Sequence, residues 1–355
     1  MTKEKLDIRL PDTRSFYMGT TPFPYDITPE AVEETYRLVR EHTDLIAYHF
    51  DSGVPWLEAF EEKPYHPNVL SEIDNAVSHL PEGKKVYLAI TPQAQDRKSL
   101  AGYWGEDSNM ERPGEWRNKS FDDPDVIAAY LNYARYMIEK FNPDYMAYGI
   151  EIDGNLDDRD PSFEKFLFFI EQVYTTLKRE NPSLPLFLTF QTGSFEVDWE
   201  TQRRVDRRLL PFSDYVAIST YPYWIPGKPP VGEANPSNLP KNWFSQMAKL
   251  APDKPFAVSE GGYIAEDLVI EQYGVNLKGR EEWQAEYVNF MLNELNKLNA
   301  KFVVWFVIRD YDLLWEKTGR IEAYKIWRDT GLIDGNGNPR LALRIWDAWL
   351  KLPKI

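Results

Sequence analysis

The chain has 355 residues, with 41 Lys and Arg against 56 Asp and Glu, a net charge of −15, no cysteine, and 43% hydrophobic residues. The acidic balance argues against nucleic acid as a partner, because phosphate binding needs clustered cations. The missing cysteine excludes disulfides, thiol nucleophiles and cysteine-ligated zinc. The hydrophobic content suits a folded chain with a large core.

No run of 18 apolar residues exists to span a membrane, and Met1-Thr-Lys-Glu-Lys-Leu-Asp7 lacks the apolar core of a signal peptide. The expected location is cytoplasmic, or secreted with the leader removed. Aromatic residues are heavy at 15%, and many fall near the ends of β-rich runs, where sugar rings stack on such side chains.

Eight β-rich runs alternate with helical patterns along the chain. Phe16 to Thr20 comes first, followed by Thr28-Pro29, an N-cap with proline at the first helical position, leading Ala31 to Val39. Leu45 to His49 and Val86 to Thr91 are the next runs. Asp125 to Phe141 then carries apolar residues three and four apart, as a packed helix does. Tyr145 to Ile152, the helical Ser162 to Lys178, Leu186 to Gln191 and Tyr215 to Tyr221 follow in turn. Ile225 to Pro240, rich in Pro, Gly and Asn, is expected to be a long loop shaping a binding face. Phe256 to Glu260, the helical Glu281 to Leu298, and Phe302 to Val307 complete the order. This alternation predicts one (β/α)8 TIM barrel over residues 1–355 as a single domain, since no linker or repeat divides it.

Two apolar runs end in an acid, Tyr-Gly-Ile-Glu151 and Phe-Ala-Val-Ser-Glu260. Along the fourth run, Ala147, Gly149 and Glu151 share a face by parity, which turns Glu151 inward at the C-terminal rim where barrels carry their active sites. The two acids stand 109 residues apart. Over three βα units that is about 36 each, near the roughly 31 of a barrel whose ~250 residues make eight units. An unpaired carboxylate in apolar surroundings costs several kcal/mol, so such a pair points to use. Glycoside hydrolysis needs two carboxyl groups flanking the anomeric carbon; about 5–5.5 Å between them means retention of configuration, and about 6.5–9.5 Å inversion.

Other chemistries fail on inventory. The four histidines stand at 42, 49, 66 and 79, and only His49 is near a strand end, so a catalytic zinc site lacks ligands and no metal or cofactor is expected. Lys85, Lys254 and Lys301 precede their strands, on the rim opposite a Schiff-base site. Gly261-Gly262 is too short to cradle phosphate. His49 and Asp51, which share a parity, are candidates to reach sugar hydroxyls. Gln191, Arg309, Asp310, Trp56, Trp104 and Trp224 are candidates by placement alone.

These strand-end acids, with Ser219-Thr-Tyr-Pro-Tyr-Trp224, Val258-Ser-Glu-Gly-Gly262 and Gly331-Leu-Ile-Asp-Gly-Asn-Gly-Asn-Pro339, resemble the clan A (β/α)8 retaining glycoside hydrolases, similar to endo-β-1,4-galactanases and β-mannanase-like families. The resemblance implies Glu151 as acid/base and Glu260 as nucleophile. It also implies that Tyr221 hydrogen-bonds the nucleophile and that Trp305 is a sugar platform. The clan usually has Asn before the acid/base, in contact with the sugar 2-hydroxyl, whereas this chain has Ile150; Asp153 or Asn155 is the expected substitute. The implied partner is a neutral oligo- or polysaccharide. The competing readings are a transglycosylase using the same pair and a non-catalytic carbohydrate-binding barrel.

Overall fold

A computed structural model describes residues 10–193, 197–223 and 232–355. The fold is a (β/α)8 barrel, its parallel sheet built from nine strand segments. Strands in chain order are β1 (Tyr17–Thr20), β2 (Leu45–Phe50), β3 (Lys85–Ile90), β4 (Tyr145–Ala147), β5 (Leu186–Phe187), β6 (Thr189–Gln191), β7 (Val216–Thr220), β8 (Phe256–Gly261), β9 (Leu268–Ile270), β10 (Val275–Leu277) and β11 (Phe302–Trp305). The antiparallel pair β9 and β10 stands outside the barrel sheet. The chain forms two compact units: Met1–Ile46 with Thr220–Lys249 and Phe256–Ile355, and Ala47–Ser219 with Leu250–Pro255.

In the first unit, β1 pairs in parallel with β11 from Tyr17 opposite Phe302 to Thr20 opposite Trp305, and β11 with β8 at Val303 and Val258. Gly19 is required where β1 meets the start of β2: a Cβ there would lie 2.3 Å from Leu45 Cδ2. The helix Pro29–His42 starts on the Thr28 cap, whose hydroxyl accepts from the Ala31 amide, and buries Ala31, Tyr36, Leu38 and Val39. Helices Glu281–Lys297 and Leu341–Leu350 pack together, burying Met291, Leu292, Ile345 and Trp346.

In the second unit, β3 pairs with β4 (Leu88 opposite Met146), β4 with β5 (Met146 opposite Leu186) and β6 with β7 (Phe190 opposite Ile218), all parallel. Helices Pro124–Phe141 and Pro161–Glu180 open alike, an Asp cap at 123 or 160 followed by proline, which pre-sets the first helical φ where no amide donor is needed. Their buried faces carry Val126, Tyr130, Met137, Phe166, Ile170 and Val173; each large apolar side chain contributes about 1.5–3 kcal/mol on burial.

Most strands begin or end one or two residues from the sequence expectation, and two departures are larger. The leucine-to-glutamine run 186–191 is interrupted at Leu188, and β4 stops at Ala147 rather than running to Ile152. After β4 the chain bends, and Glu151 adopts a left-handed backbone with φ 49°. Strand parity therefore does not carry through to Glu151. Among the described residues no helix is long and apolar enough to cross a membrane.

Candidate active site

Glu151 sits in a turn pinned to β6. Its amide donates to the Thr189 hydroxyl at 2.7 Å, the Ile152 amide to the Thr189 carbonyl, and the Gly154 amide back to the Glu151 carbonyl. A left-handed non-glycine residue costs of order 1–3 kcal/mol and persists where its surroundings over-determine it. Those bonds do so here. The side chain is 16% exposed, and both its polar contacts fall on Oε2: Gln191 Nε2 donates at 2.9 Å and Arg97 Nη2 at 3.3 Å. Oε1 takes part in neither bond. Arg97 also pairs with Asp51, Nη2 to Oδ2 at 2.8 Å.

The second acid stands within β8. Glu260 is half-buried, and Tyr221, the first residue after β7, donates its hydroxyl to Glu260 Oε1 at 2.5 Å. Tyr221 is itself fixed, edge-on to the rings of Tyr223 and Trp327. Close approach needs glycine next door, since a Cβ on Gly262 would lie 2.7 Å from the Phe306 carbonyl oxygen. The Gly262 amide reaches the Thr220 carbonyl, so the ends of β7 and β8 are tied where Tyr221 and Glu260 meet.

Several expected substrate contacts are corrected by burial. Trp305 is fully buried, its Nε1 donating to the Thr330 carbonyl and its ring packed near Tyr287 and Trp346. It faces the helices and offers no platform; the neighbouring Phe306, half-buried against Phe23 and Tyr311, is the more open aromatic. Trp56 is core too, bonded to the Ala101 carbonyl and stacked on Trp116, as is Trp104 between Phe50 and Tyr133. Asp153 is fully buried and accepts from the Gln191 amide and Gln202 Nε2, so it supports the site from beneath and cannot touch a sugar.

Other expected residues are open in part. His49 and Asp51 are half-buried at the end of β2. Half-buried Asn155 donates to the Asp96 carbonyl, and Gln191 holds Glu151. Arg309 lies over the Tyr25 ring at 3.7 Å and donates to the Gly335 carbonyl, so its guanidinium is largely engaged within its own unit. Trp224 lies outside the described residues, as does part of the stretch Ile225 to Pro240.

Sequence reasoning missed Arg97, Gln93 and Trp327. Arg97 follows β3 in a polar loop with φ 51°, and no periodicity marks it. Buried Gln93 donates to both the Arg97 and Ile152 carbonyls, tying that loop to the Glu151 turn.

Asp310, Asp312 and Asp329 form, among the described residues, the one acidic group compact enough for a metal ion. Arginines already pair with its buried members: Asp310 is bonded to Arg340 and the Gly331 amide, and Asp329 to Arg328. Burial is the main cause that raises the Asp310 carboxyl well above its ordinary range.

Beneath Glu151, buried Asp153 and Asp206 share Arg203. Burial first, and then the charge of Asp153, raises the Asp206 carboxyl well above the usual range. A carboxyl raised in the folded state contributes stability that is complete below its unfolded pKa and is lost as pH rises through the folded value. Asp206→Asn removes that loss while keeping a donor toward Asp153. The melting temperature of the variant, relative to the parent, is therefore expected to rise from pH 4 to pH 8; a difference that falls over this range contradicts the assignment.

No protein-family model matches the sequence, and no curated protein does. Solved structures do. The Ignisphaera aggregans GH53 catalytic domain aligns with TM-score 0.60 and 18% identity over 96% of this chain and 97% of that one. A GH5_18 from Bifidobacterium longum subsp. infantis aligns with TM-score 0.64 and 13% identity over 96% and 80%. An exo-β-1,4-mannosidase from Opitutaceae bacterium strain TAV5 gives 0.62 and 12% over 96% and 60%. At these identities the likeness defines the fold alone, a (β/α)8 barrel.

Proposed function

We propose that the chain is a retaining glycoside hydrolase acting on a neutral glycan, with Glu260 as nucleophile, Glu151 as acid/base, and no cofactor. The observation that carries this reading is the bond from the Tyr221 hydroxyl to Glu260 Oε1. A hydroxyl donated to a carboxylate oxygen favours the ionised form and fixes its plane, which is what a nucleophile directed at the anomeric carbon needs. Glu151 is suited to the complementary role, because it is anchored through Oε2 and keeps Oε1 for the proton of the glycosidic oxygen. His49 and Asp51 are proposed contacts to sugar hydroxyls, with Asn155 replacing the 2-hydroxyl contact of the clan.

The exo-β-1,4-mannosidase among the neighbours, with the resemblance of the sequence to endo-β-1,4-galactanases, makes β-1,4-linked mannosides and galactans the first substrates to try. A panel of these substrates, with proton NMR of the first sugar released, is the test. Product with the substrate's anomeric configuration is expected; inversion overturns the double displacement, and binding without turnover favours the non-catalytic alternative. Tyr221→Phe should lower kcat/KM about ten- to a hundredfold, the value of a hydrogen bond to a charged group at roughly 1.5–3 kcal/mol. An unchanged rate would remove Tyr221 from the site.

A further inference from the structure

Among the described residues of its unit, Arg97 is the cation in contact with Glu151, and it is shared. A single nitrogen, Nη2, lies 2.8 Å from Asp51 Oδ2 and 3.3 Å from Glu151 Oε2. The Arg97 side chain is 12% exposed, and its loop is held in place rather than draped. Gln93 grips the Arg97 carbonyl, the Arg97 amide donates to the Ala94 carbonyl, and Arg97 itself takes a left-handed backbone. Gly154 completes the fit: a Cβ there would lie 3.0 Å from both Arg97 Cβ and Gln191 Oε1, the two residues that close on Glu151. Room has been kept for this approach.

We propose that Arg97 is a positioning residue for the acid/base, divided between Asp51 and Glu151 so that Asp51 sets how strongly it acts on Glu151. This rests on the reading of Glu151 as acid/base. While Glu151 carries its proton, Asp51 is the only ionised partner of the pair and holds Arg97. When the proton passes from Glu151 to the leaving oxygen as the glycosidic bond breaks, Glu151 becomes the second carboxylate, and Arg97 stabilises the charge formed there. In the second half of the cycle Glu151 recovers a proton from the attacking water, and Asp51 reclaims Arg97. Without Asp51 the arginine would stay on Glu151, making it a better acid and a poorer base. Without Arg97 the opposite holds.

Among the described residues of its unit, the charged groups that face this carboxylate are Arg97 in contact and Asp51 through it. His49 stands two residues before Asp51, and the buried Asp153 and Arg203 lie beneath Gln191. Of these, Asp51 and Arg97 are changed by the test.

The experiment needs no substrate. Protein labelled with 13C at the glutamate carboxyl is titrated by NMR, and the Glu151 signal is identified by its loss in Glu151→Gln. Arg97→Met is expected to move the Glu151 midpoint up, and Asp51→Asn to move it down, each by about one pH unit, as removal or release of a nearby opposite charge does. Arg97→Lys should stay near the parent. Midpoints that do not move, or that move in the same direction, overturn the proposal. If Arg97→Met does not fold, Asp51→Asn alone decides by the sign of its shift. Failure of the underlying reading looks different: Glu151→Gln would then keep its turnover on the glycoside found by the panel, whatever the midpoints do.

Discussion

Glu260→Gln should lose turnover by roughly 10⁴-fold or more, the scale expected when a covalent nucleophile that works as part of a unit is removed. The amide keeps the shape of the carboxylate and can still accept from Tyr221, so folding and substrate affinity are expected to persist. What disappears is the anionic oxygen that forms the glycosyl bond. Measurement of kcat with KM separates these outcomes: a collapse in kcat at similar KM fits a nucleophile, whereas a rise in KM alone would make Glu260 a binding residue. Near-parent turnover would exclude it from the chemistry.

The second large effect is expected at Glu151, and it depends on the leaving group. With a natural glycoside, Glu151→Ala should lose about 10²- to 10⁴-fold, the usual contribution of general acid–base catalysis. With an aryl glycoside whose phenol departs without a proton, formation of the intermediate should stay fast while its hydrolysis is slow, because no base activates water. Azide should then restore turnover, since it needs no deprotonation and fits the vacated space, and the product should be a glycosyl azide of the same anomeric configuration as the substrate. Glu260→Ala with azide should give the opposite configuration, attack coming from the emptied nucleophile side. The reverse pattern in the two variants exchanges the roles of Glu151 and Glu260.

Much of the barrel was legible because its strands are apolar runs flanked by turn residues, its long helices carry apolar residues three and four apart, and three of them begin with an Asp or Thr cap followed by proline. The helix Trp199–Leu209 was not. Its sequence is dominated by Arg, Glu, Gln and Asp, and it buries Gln202, Arg203 and Asp206 against Asp153 through polar pairing. Hydrophobic period has no means of marking a face of that kind.

In the sequence, strand ends drew attention to Glu151, Gln191, Tyr221 and Glu260, because barrels carry their active sites at the C-terminal ends of their strands. The finer assignments depended on orientation, which parity gives only while the backbone stays extended. Glu151 has left the strand by the time its side chain is placed, in a left-handed turn that Thr189 holds from another strand. Trp305 and Phe306 differ by one position, and that single step decides which aromatic is packed under the helices and which is partly open. Arg97 was out of reach altogether, since it is a loop residue whose place is fixed by Gln93, Gly154 and Asp51, each distant in sequence from the others.

The central claim is that a covalent bond forms to Glu260 during turnover. Once the panel has named the sugar, its 2-deoxy-2-fluoro glycosyl fluoride should form the intermediate but release it slowly, because fluorine destabilises the oxocarbenium-like transition state of each step and fluoride compensates only in the first. Peptide mass mapping of the inactivated protein is expected to find one glycosyl group on the peptide containing Glu260, and none in Glu260→Gln. A label carried by another carboxylate, or its absence from an enzyme that turns over the parent glycoside with inversion, would contradict the account.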